Sequence, residues 1–598
     1  MSDAQKEQES QKPKEELEFI NAHTHLFNAD DTPTYLARKF VVWPFYYLIN
    51  TRWAVYVLKK YRKWKSDGYS YSARNRVWNE YLTTKSTFMA VIRRLFLLMV
   101  NLLFFFYLLY VLKSLFQFHP LESWLEWLYG TSFSKYLLVF PERVHYLPLL
   151  LLMFLLFKKL RNWLLQAAWK NIKRRLGKEW VEFMLRYRNI LFYAGYTSMK
   201  NMFNKLHEQY PPNTGFVVLP MDMEFMGAGK VKRSYMEQMQ ELLQTKNDKD
   251  QTMYPFLFAH PRRMTQIIDG KPYFSGRLVD GTYDLVDCHV KDFLYQGCSG
   301  IKIYPALGYY PFDKNLLALW LYCDQNQIPI TTHCSVGPIF YRGNLKKLDI
   351  RDIDRHPVFD QIVGKTKEGE EVIEKLRLPL YKNKIFQRNF THPLNYMCLL
   401  HEPFLKKVLD HHQDLELNAL FGYNREDKNQ KLSNNLSNLK INLAHYGGSE
   451  NWDEFLEKDR YREANKIINQ PEIGLDLTKN MDNLTKLYST WHFVDWFSLI
   501  SSMILNFENV YTDISYTTHD LKYLNLLSEI MDNPEIGKRV LFGTDFYVVS
   551  NHKSEKHFWI DMQNTLGTDR WRLLSCDNPK SFLKSSLSIS RTGAGTES

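Results

Sequence analysis

The stretch EFINAHTHLFN, residues 18–28, ends a predicted buried strand with two histidines, His23 and His25. Side chains alternate along a strand, so residues i and i+2 project to the same side. Both imidazoles can therefore face one point and bind one metal ion. The H-x-H spacing alone is a modest signal, because surface histidines also produce it. Its place at the end of an apolar run, after a polar tail at residues 1–18 that we predict to be disordered, strengthens the signal.

Seven further short apolar runs follow along the chain, each succeeded by a loop and a helix-length segment. Runs that are apolar on both faces and alternate with helices are typical of parallel strands in βα units. Eight such units predict an α/β fold, the closed (β/α)8 barrel. An open doubly wound sheet would carry a glycine fingerprint after its first strand, and the sequence has none. The eight runs are residues 19–25, 216–221, 254–260, 300–304, 328–333, 441–445, 510–514 and 540–545.

Two long insertions interrupt this rhythm and set the predicted domain organisation. The first insertion, residues 32–212, separates the first two strands, and the second, residues 334–438, follows the fifth strand. We expect the second insertion to cover the active site, because barrel active sites are built from loops that follow the strands. The barrel takes residues 19–31 and 213–590, a helical insertion takes residues 32–212, and a short tail takes residues 591–598.

The first insertion contains the most apolar part of the chain. Residues 95–112 (LFLLMVNLLFFFYLLYVL) reach the lower length limit for crossing a bilayer, and residues 136–157 form a second, broken apolar segment. Basic residues on the outer flanks favour a membrane hairpin with both ends in the cytoplasm. This predicts lipid as a partner and a barrel at the cytoplasmic face of a membrane. The alternative is a soluble cytoplasmic protein in which the insertion covers the barrel or forms a dimer interface, and the oligomeric state stays open.

Composition and charge exclude several classes of protein. Apolar residues make up 45% of the chain and charged residues 24%, which indicates a globular protein. The six cysteines form no C-x-x-C pair, which argues against a zinc ribbon or a disulfide framework. The formal net charge of +12 includes a basic run at residues 158–178, directly after an apolar segment. That position favours an anionic membrane surface over nucleic acid, for which no binding motif is present.

Further polar residues fall at the ends of other predicted strands. His333 closes IPITTH, His445 closes INLAH and Asp545 closes RVLFGTD. Aspartate is rarely buried without a partner, and at the carboxyl end of a barrel strand the partner is usually a catalytic group or a metal. The sequence therefore predicts a metal site built from residues that are far apart in the chain.

With these motifs the chain resembles the amidohydrolase superfamily, and most of all its amidohydrolase-related branch. The matching phrases are NAHTHLFN, FVVLPMDMEF, GIKIYPALGYYPFD, IPITTHCS, LKINLAHYGG, ENVYTDISY, RVLFGTDFY and CDNPKSFL, which together skip the first insertion. The resemblance implies that His23, His25 and His333 bind the metal as neutral imidazoles. It implies that Asp545 binds the metal as a carboxylate and also accepts a proton from the attacking water.

The resemblance also bears on the number and kind of metal ions. Imidazole and carboxylate donors suit Zn²⁺, with Mn²⁺ and Fe²⁺ as alternatives. His445 either binds a second metal or stays unligated as a catalytic acid–base or oxyanion contact, and we favour the unligated role. In some superfamily members a lysine on the fourth strand is carbamylated and bridges two metals, and Lys302 is at that position. Its alternative role is contact with substrate, so we expect one ion, with two as the alternative.

The remaining site candidates lie near other strand ends. Asp222 and Glu224, in PMDME, and Asp513 are predicted to support the metal histidines or contact substrate. Tyr304, which shares the inward parity of Lys302, and Arg342, near the start of the second insertion, are predicted in the same way to support the metal ligands or contact substrate.

The expected function is a metal-dependent hydrolase that activates water against an amide, ester or ring C–N bond of a small molecule. The resemblance implies an alternative, a non-oxidative decarboxylase or related lyase. A catalytically inactive membrane scaffold is the second alternative.

His260, in FAHPRR, either lines the pocket or is an ordinary loop histidine.

Overall fold

The part of the chain that is described by the structure, a computed structural model, lies almost wholly outside the apolar insertion. The apolar segments at residues 95–112 and 136–157 and both predicted tails lie outside it. Among the described helices, none combines the length and the apolar character that a membrane span requires. The described residues are 19–33, 196, 198–249, 252–337, 339–348, 350, 352–379, 383–457, 477, 483–546 and 554–585.

Eight parallel strands form one sheet, which curls into a nearly closed barrel. An isolated parallel bridge between Thr24 and Phe546 joins its last strand region to its first. All eight strands fall on the apolar runs of the sequence, so the predicted α/β barrel is confirmed. In sheet order they are β1 (Phe19–Thr24), β2 (Thr214–Val218), β3 (Met253–Phe258), β4 (Gly300–Ile303), β5 (Ile330–His333), β6 (Ile441–Ala444), β7 (Val510–Asp513) and β8 (Val540–Leu541).

Helices surround the barrel, and several of them begin at a capping side chain. Ser234 begins one of them: its side chain accepts a hydrogen bond from the Glu237 amide, and the Glu237 carboxylate accepts one from the Ser234 amide. The first helix lies before residue 213, the predicted start of the barrel, yet its Phe203 and Leu206 are buried in the main core. The helices are Met199–His207, Tyr235–Asn247, Pro261–Met264, His289–Tyr295, Lys314–Asn326, Asn383–Thr391, Met397–Leu400, Glu402–His412, Leu415–Phe421, Ser449–Glu457, Leu484–Phe493, Trp496–Asn506, Leu524–Asp532, Glu555–Arg572 and Asn578–Leu583.

A small apolar cluster, which we interpret as the filling of the barrel interior, is built from alternate residues of the strands and from the last helix. The intervening residues of the same strands, such as Phe19 and Leu257, belong to the larger outer core that the helices cover. The last helix contributes Phe582, whose ring lies 5.2 Å from that of Tyr511 near the start of β7. The members of the inner cluster are Ile20, Ala22, Val217, Leu219, Phe256, Tyr511, Leu541 and Phe582.

Three small antiparallel hairpins were not predicted from the sequence. One lies in the second insertion, which therefore holds strands as well as loops and helices. In the other two, the turns are Asp269–Gly270 and Asp280–Gly281, and all four of these residues have positive φ. Asp-Gly between short strands is a strong hairpin signal, so these two hairpins could have been predicted from the sequence. The hairpins pair Ile267–Ile268 with Lys271–Pro272, Gly276–Val279 with Thr282–Leu285, and Arg355–Lys365 with Glu371–Arg377.

Candidate metal centre

Three donor atoms converge at the carboxyl ends of β1 and β8. Nε2 of His23 lies 3.3 Å from Nε2 of His25. Oδ1 of Asp545 lies 3.2 Å from Nε2 of His25 and 3.8 Å from Nε2 of His23. Two donors bound to a tetrahedral ion at about 2.1 Å are roughly 3.4 Å apart. The spacing of the three atoms therefore fits one metal ion, and this buried group could hold it.

The hydrogen bonds that Nδ1 makes in each imidazole leave Nε2 to face the other donor atoms. Nδ1 of His23 donates to Oδ2 of Asp513 at 2.9 Å, and Nδ1 of His25 donates to the Leu219 carbonyl at 2.7 Å. Burial lowers the pKa of His23 to about 3 although Asp513 opposes this, so the ring is neutral. The two Nε2 lone pairs then face each other and the Asp545 carboxylate. A cation between these acceptors relieves their repulsion, and metal-binding histidines are held in this way.

An irregularity in β1 aims His23 into the barrel. Ile20 and Ala22 belong to the inner apolar cluster, so strict alternation would place His23 on the outer face. The pairing of β1 with β2 instead contains one extra residue between Asn21 and Thr24. A bulge of this kind redirects the side chains that follow it. Both histidines thereby reach the barrel mouth together, as their i and i+2 spacing predicted, although the bulge itself was not predicted.

The loops that carry the other site residues have unusual backbone conformations. His445 and Asp545 have φ of 73° and 56°, and Tyr446 and Tyr516 have φ of 45° and 62°. Left-handed backbone costs a non-glycine residue about 1 kcal/mol or more, and such residues cluster at functional sites. The four positions follow β6, β7 and β8, so the strain is concentrated at the carboxyl end of the barrel.

Asp513, predicted to support the metal histidines, connects several groups of the site. Its Oδ2 accepts from Nδ1 of His23 and, at 2.8 Å, from Nδ2 of Asn442. Its Oδ1 accepts from the backbone amides of His445 and Ser515, each at 3.1 Å. Although burial opposes the charge, His23, His445 and the Ser515 hydroxyl hold the pKa of Asp513 well below its usual range. Asn442 and Ser515 were not predicted as site residues from the sequence. The available signal for Asn442 was its place as a single polar residue within the apolar run INLAH.

His333 and His445 form a second histidine pair beside the first. Nε2 of His445 lies 2.9 Å from Nδ1 of His333, and Nδ1 of His445 lies 2.9 Å from Oγ of Ser515. Nε2 of His333 lies 3.3 Å from Oγ of Ser335, and its ring stacks on Tyr304 with centroids 4.3 Å apart. Both nitrogens of His333 therefore have protein partners, and the role of this residue as a metal ligand stays a prediction.

A second group of three donors within 4.8 Å consists of His23, His445 and Asp513. It shares His23 with the first group, and its His23–Asp513 contact is the hydrogen bond that orients the ring. We therefore interpret it as the support of one metal position and not as the site of a second ion. Among the described residues, neither group includes His333.

Lys302 projects from β4 into the barrel and is fully buried. Its Nζ has no hydrogen-bond partner in the described part of the chain and lies 5.8 Å from the centre of the Tyr304 ring. Burial lowers the pKa of Lys302 to about 8, while the charges of Asp513 and Asp545 oppose the change. The lysine therefore lies within electrostatic reach of the metal cluster, without a local acceptor in the described residues.

Asp222 and Glu224 have a partner other than the one the sequence suggested. In place of the metal histidines, both carboxylates contact Arg263: Oδ2 of Asp222 lies 2.7 Å from Nε, and Oε2 of Glu224 lies 2.9 Å from Nη2. The guanidinium also lies over the Phe225 ring at 4.9 Å, so the three side chains anchor the loop after β2. Arg342 is largely buried, which lowers its pKa to about 10, and its contact with substrate stays a prediction.

No protein-family model matches this chain, and no curated protein matches it in sequence. The likeness to the amidohydrolase superfamily therefore rests on the motifs. The parallel eight-stranded barrel and its buried His–His–Asp group are compatible with a metal hydrolase of the barrel type.

Proposed function

We propose that this chain is a metal-dependent hydrolase of the amidohydrolase type, which binds one Zn²⁺ and attacks an amide, ester or ring C–N bond. The observation that carries the proposal is the orientation of His23 and His25. Each commits Nδ1 to a protein acceptor and presents Nε2 to the carboxylate of Asp545. Three protein donors with an open position are the ligand set of catalytic zinc. When bound, the ion would act as a Lewis acid and would activate water near neutral pH.

The side chains around this position can orient the reactants and move protons. Burial disfavours the charge on Asp545, and a cation held beside the two imidazoles would favour the ionised carboxylate. Its ionised oxygens can both hold a cation and accept a proton from the attacking water. Nδ1 of His445 engages Ser515, and its Nε2 faces Nδ1 of His333. We assign to His445, with His333 as its proton partner, protonation of the leaving group.

We also propose that residues 95–112 and 136–157 attach the enzyme to a membrane, with the barrel on the cytoplasmic side. Support comes from the length of the first segment and from the basic residues on the outer flanks of the pair. A substrate that partitions into lipid would then be concentrated near the barrel.

Metal content and water incorporation test the hydrolase proposal together. We expect one equivalent of Zn²⁺ in the full chain by elemental analysis, and its loss in His23→Ala and Asp545→Ala. His557→Ala, at an exposed position, is the matched control and should keep the metal. A panel of chromogenic esters and amides, assayed in ¹⁸O-labelled water, should give a labelled acid product. Full metal content or full activity in either site variant would refute the site. Release of CO₂ with no labelled acid product would refute hydrolysis.

A further inference from the structure

Two buried hydrogen-bond donors near the barrel mouth have no acceptor in the described part of the chain: Nζ of Lys302 and Nε2 of His260. Lys302 lies on β4, and His260 follows β3, whose last residue, Phe258, pairs in register with Lys302. Paired residues of adjacent strands project to the same face. His260 follows Phe258 by two residues with extended backbone, φ −124° and ψ 131°, and so continues on that inner face.

His260 is held as a neutral donor. Its Nδ1 accepts a hydrogen bond from the Arg262 amide at 3.2 Å, which leaves the ring proton on Nε2. The ring stacks on Phe225 with centroids 4.4 Å apart and meets Tyr309 edge-on at 4.7 Å. Burial, with the charges of Arg262 and Arg263, lowers the pKa of His260 well below its ordinary value. The ring cannot turn freely, so its N–H points in a fixed direction.

The charges around Lys302 leave room for an anion. The Asp513 oxygens already accept from His23 and Asn442 and from two backbone amides, and Asp545 faces His25. With a divalent ion present and its water still neutral, the ion and Lys302 would outweigh the two carboxylates by one positive charge. A buried net charge without a partner is unfavourable, and a bound anion removes the imbalance.

We propose that Lys302 and His260 bind an anionic substrate: Lys302 pairs with its carboxylate, and His260 donates a hydrogen bond to a further oxygen of the same molecule. This inference rests on the proposed metal site and names the substrate class that the site accepts. Both residues act in substrate binding and specificity, and neither is assigned a metal-binding role. A neutral substrate of the same shape would leave both donors unpaired, so the site discriminates by charge.

Calorimetric titration of the Zn²⁺-loaded full chain with succinate, and with neutral succinamide, tests this subsite. Succinate should bind at least about tenfold more tightly than succinamide, since a hydrogen bond to a charged group contributes that much or more. Lys302→Met should remove the preference. His260→Phe, which keeps the stacking on Phe225, should weaken succinate several-fold, and His260→Gln should restore part of the affinity. Lys200→Met, a surface variant, should change nothing.

The outcomes separate the two proposals. A wild-type chain that binds no Zn²⁺ would refute the metal site and, with it, this inference. A chain that binds Zn²⁺ but shows no preference for succinate, or Lys302→Met with unchanged succinate affinity, would refute the anion subsite alone. Lys302→Met should keep its metal and melt no lower than wild type, because it removes a buried, unpaired ammonium. A lower melting temperature would show that Lys302 supports the fold, which would also contradict the inference.

Discussion

Glu555 is a buried carboxyl group whose ionisation should control the pH dependence of stability. The Tyr210 hydroxyl donates to its Oε2 at 2.6 Å, and its Oε1 has no partner within the described ranges. Burial raises the pKa of Glu555 from 4.5 to about 7, against the hydrogen bonds from Tyr210 and Thr544. Glu555→Gln keeps an oxygen acceptor for Tyr210 and cannot ionise, so it isolates this one titration.

The direction of the effect follows from proton linkage. Between pH 4.5 and about pH 7 the folded chain holds a proton on Glu555 that the unfolded chain releases. Stability from this group is therefore complete below pH 4.5 and is lost as the pH rises through about 7. At about 1.4 kcal/mol for each pH unit, the loss approaches roughly 3 kcal/mol at alkaline pH. The glutamine variant avoids it.

Urea denaturation of the metal-saturated chain, followed by tryptophan fluorescence, measures this difference. Near pH 4.5, Glu555→Gln should differ little from wild type. At mildly alkaline pH it should be more stable by up to about 3 kcal/mol. Glu426→Gln, at an exposed position, is the matched control and should track wild type throughout. A stability difference that is the same at both pH values would refute the reasoning, because Glu555 would then titrate as it does in the unfolded chain.

Asp513→Asn removes the charge and one of the two acceptor oxygens beside His23, and it should weaken metal binding about 10- to 100-fold by competition with a chelator, with the barrel still folded by circular dichroism. Gly337→Ala places a methyl group 2.8 Å from Nε2 of His333, so kcat/KM should fall at least about tenfold while metal content is unchanged; equal activity would show that the loop yields. A topology reporter inserted near Trp124 should lie outside the cytoplasm and one at the C-terminus inside it, and the same compartment for both would exclude the hairpin.

Most strands of the barrel could be predicted because the sequence patterns that mark them are local. Each strand is a short apolar run, and the polar residue that ends it stands at a fixed place relative to that run. His23, His25 and Asp545 could therefore be selected as candidates without coordinates. The Asp-Gly turns of two hairpins are equally local signals.

Other features depend on contacts between distant segments. Asp222 reads as a support for the metal histidines until Arg263, which follows the next strand, is seen beside it. Asn442 reads as an irregular residue within an apolar strand until it meets Asp513. Hydrogen-bond partners of this kind come from segments that only the folded chain brings together. No short pattern in a single sequence identifies them.

By itself, the sequence determined the barrel class, the strand ends and the chemical types of the donors, because hydrophobic periodicity and residue chemistry act over a few neighbours. Only the tertiary structure decided that a bulge turns His23 inward, that two histidine pairs lie side by side, and that Lys302 and His260 are buried without acceptors among the described residues. Those outcomes depend on closure of the sheet, which brings side chains from distant strands to one mouth and removes them from water.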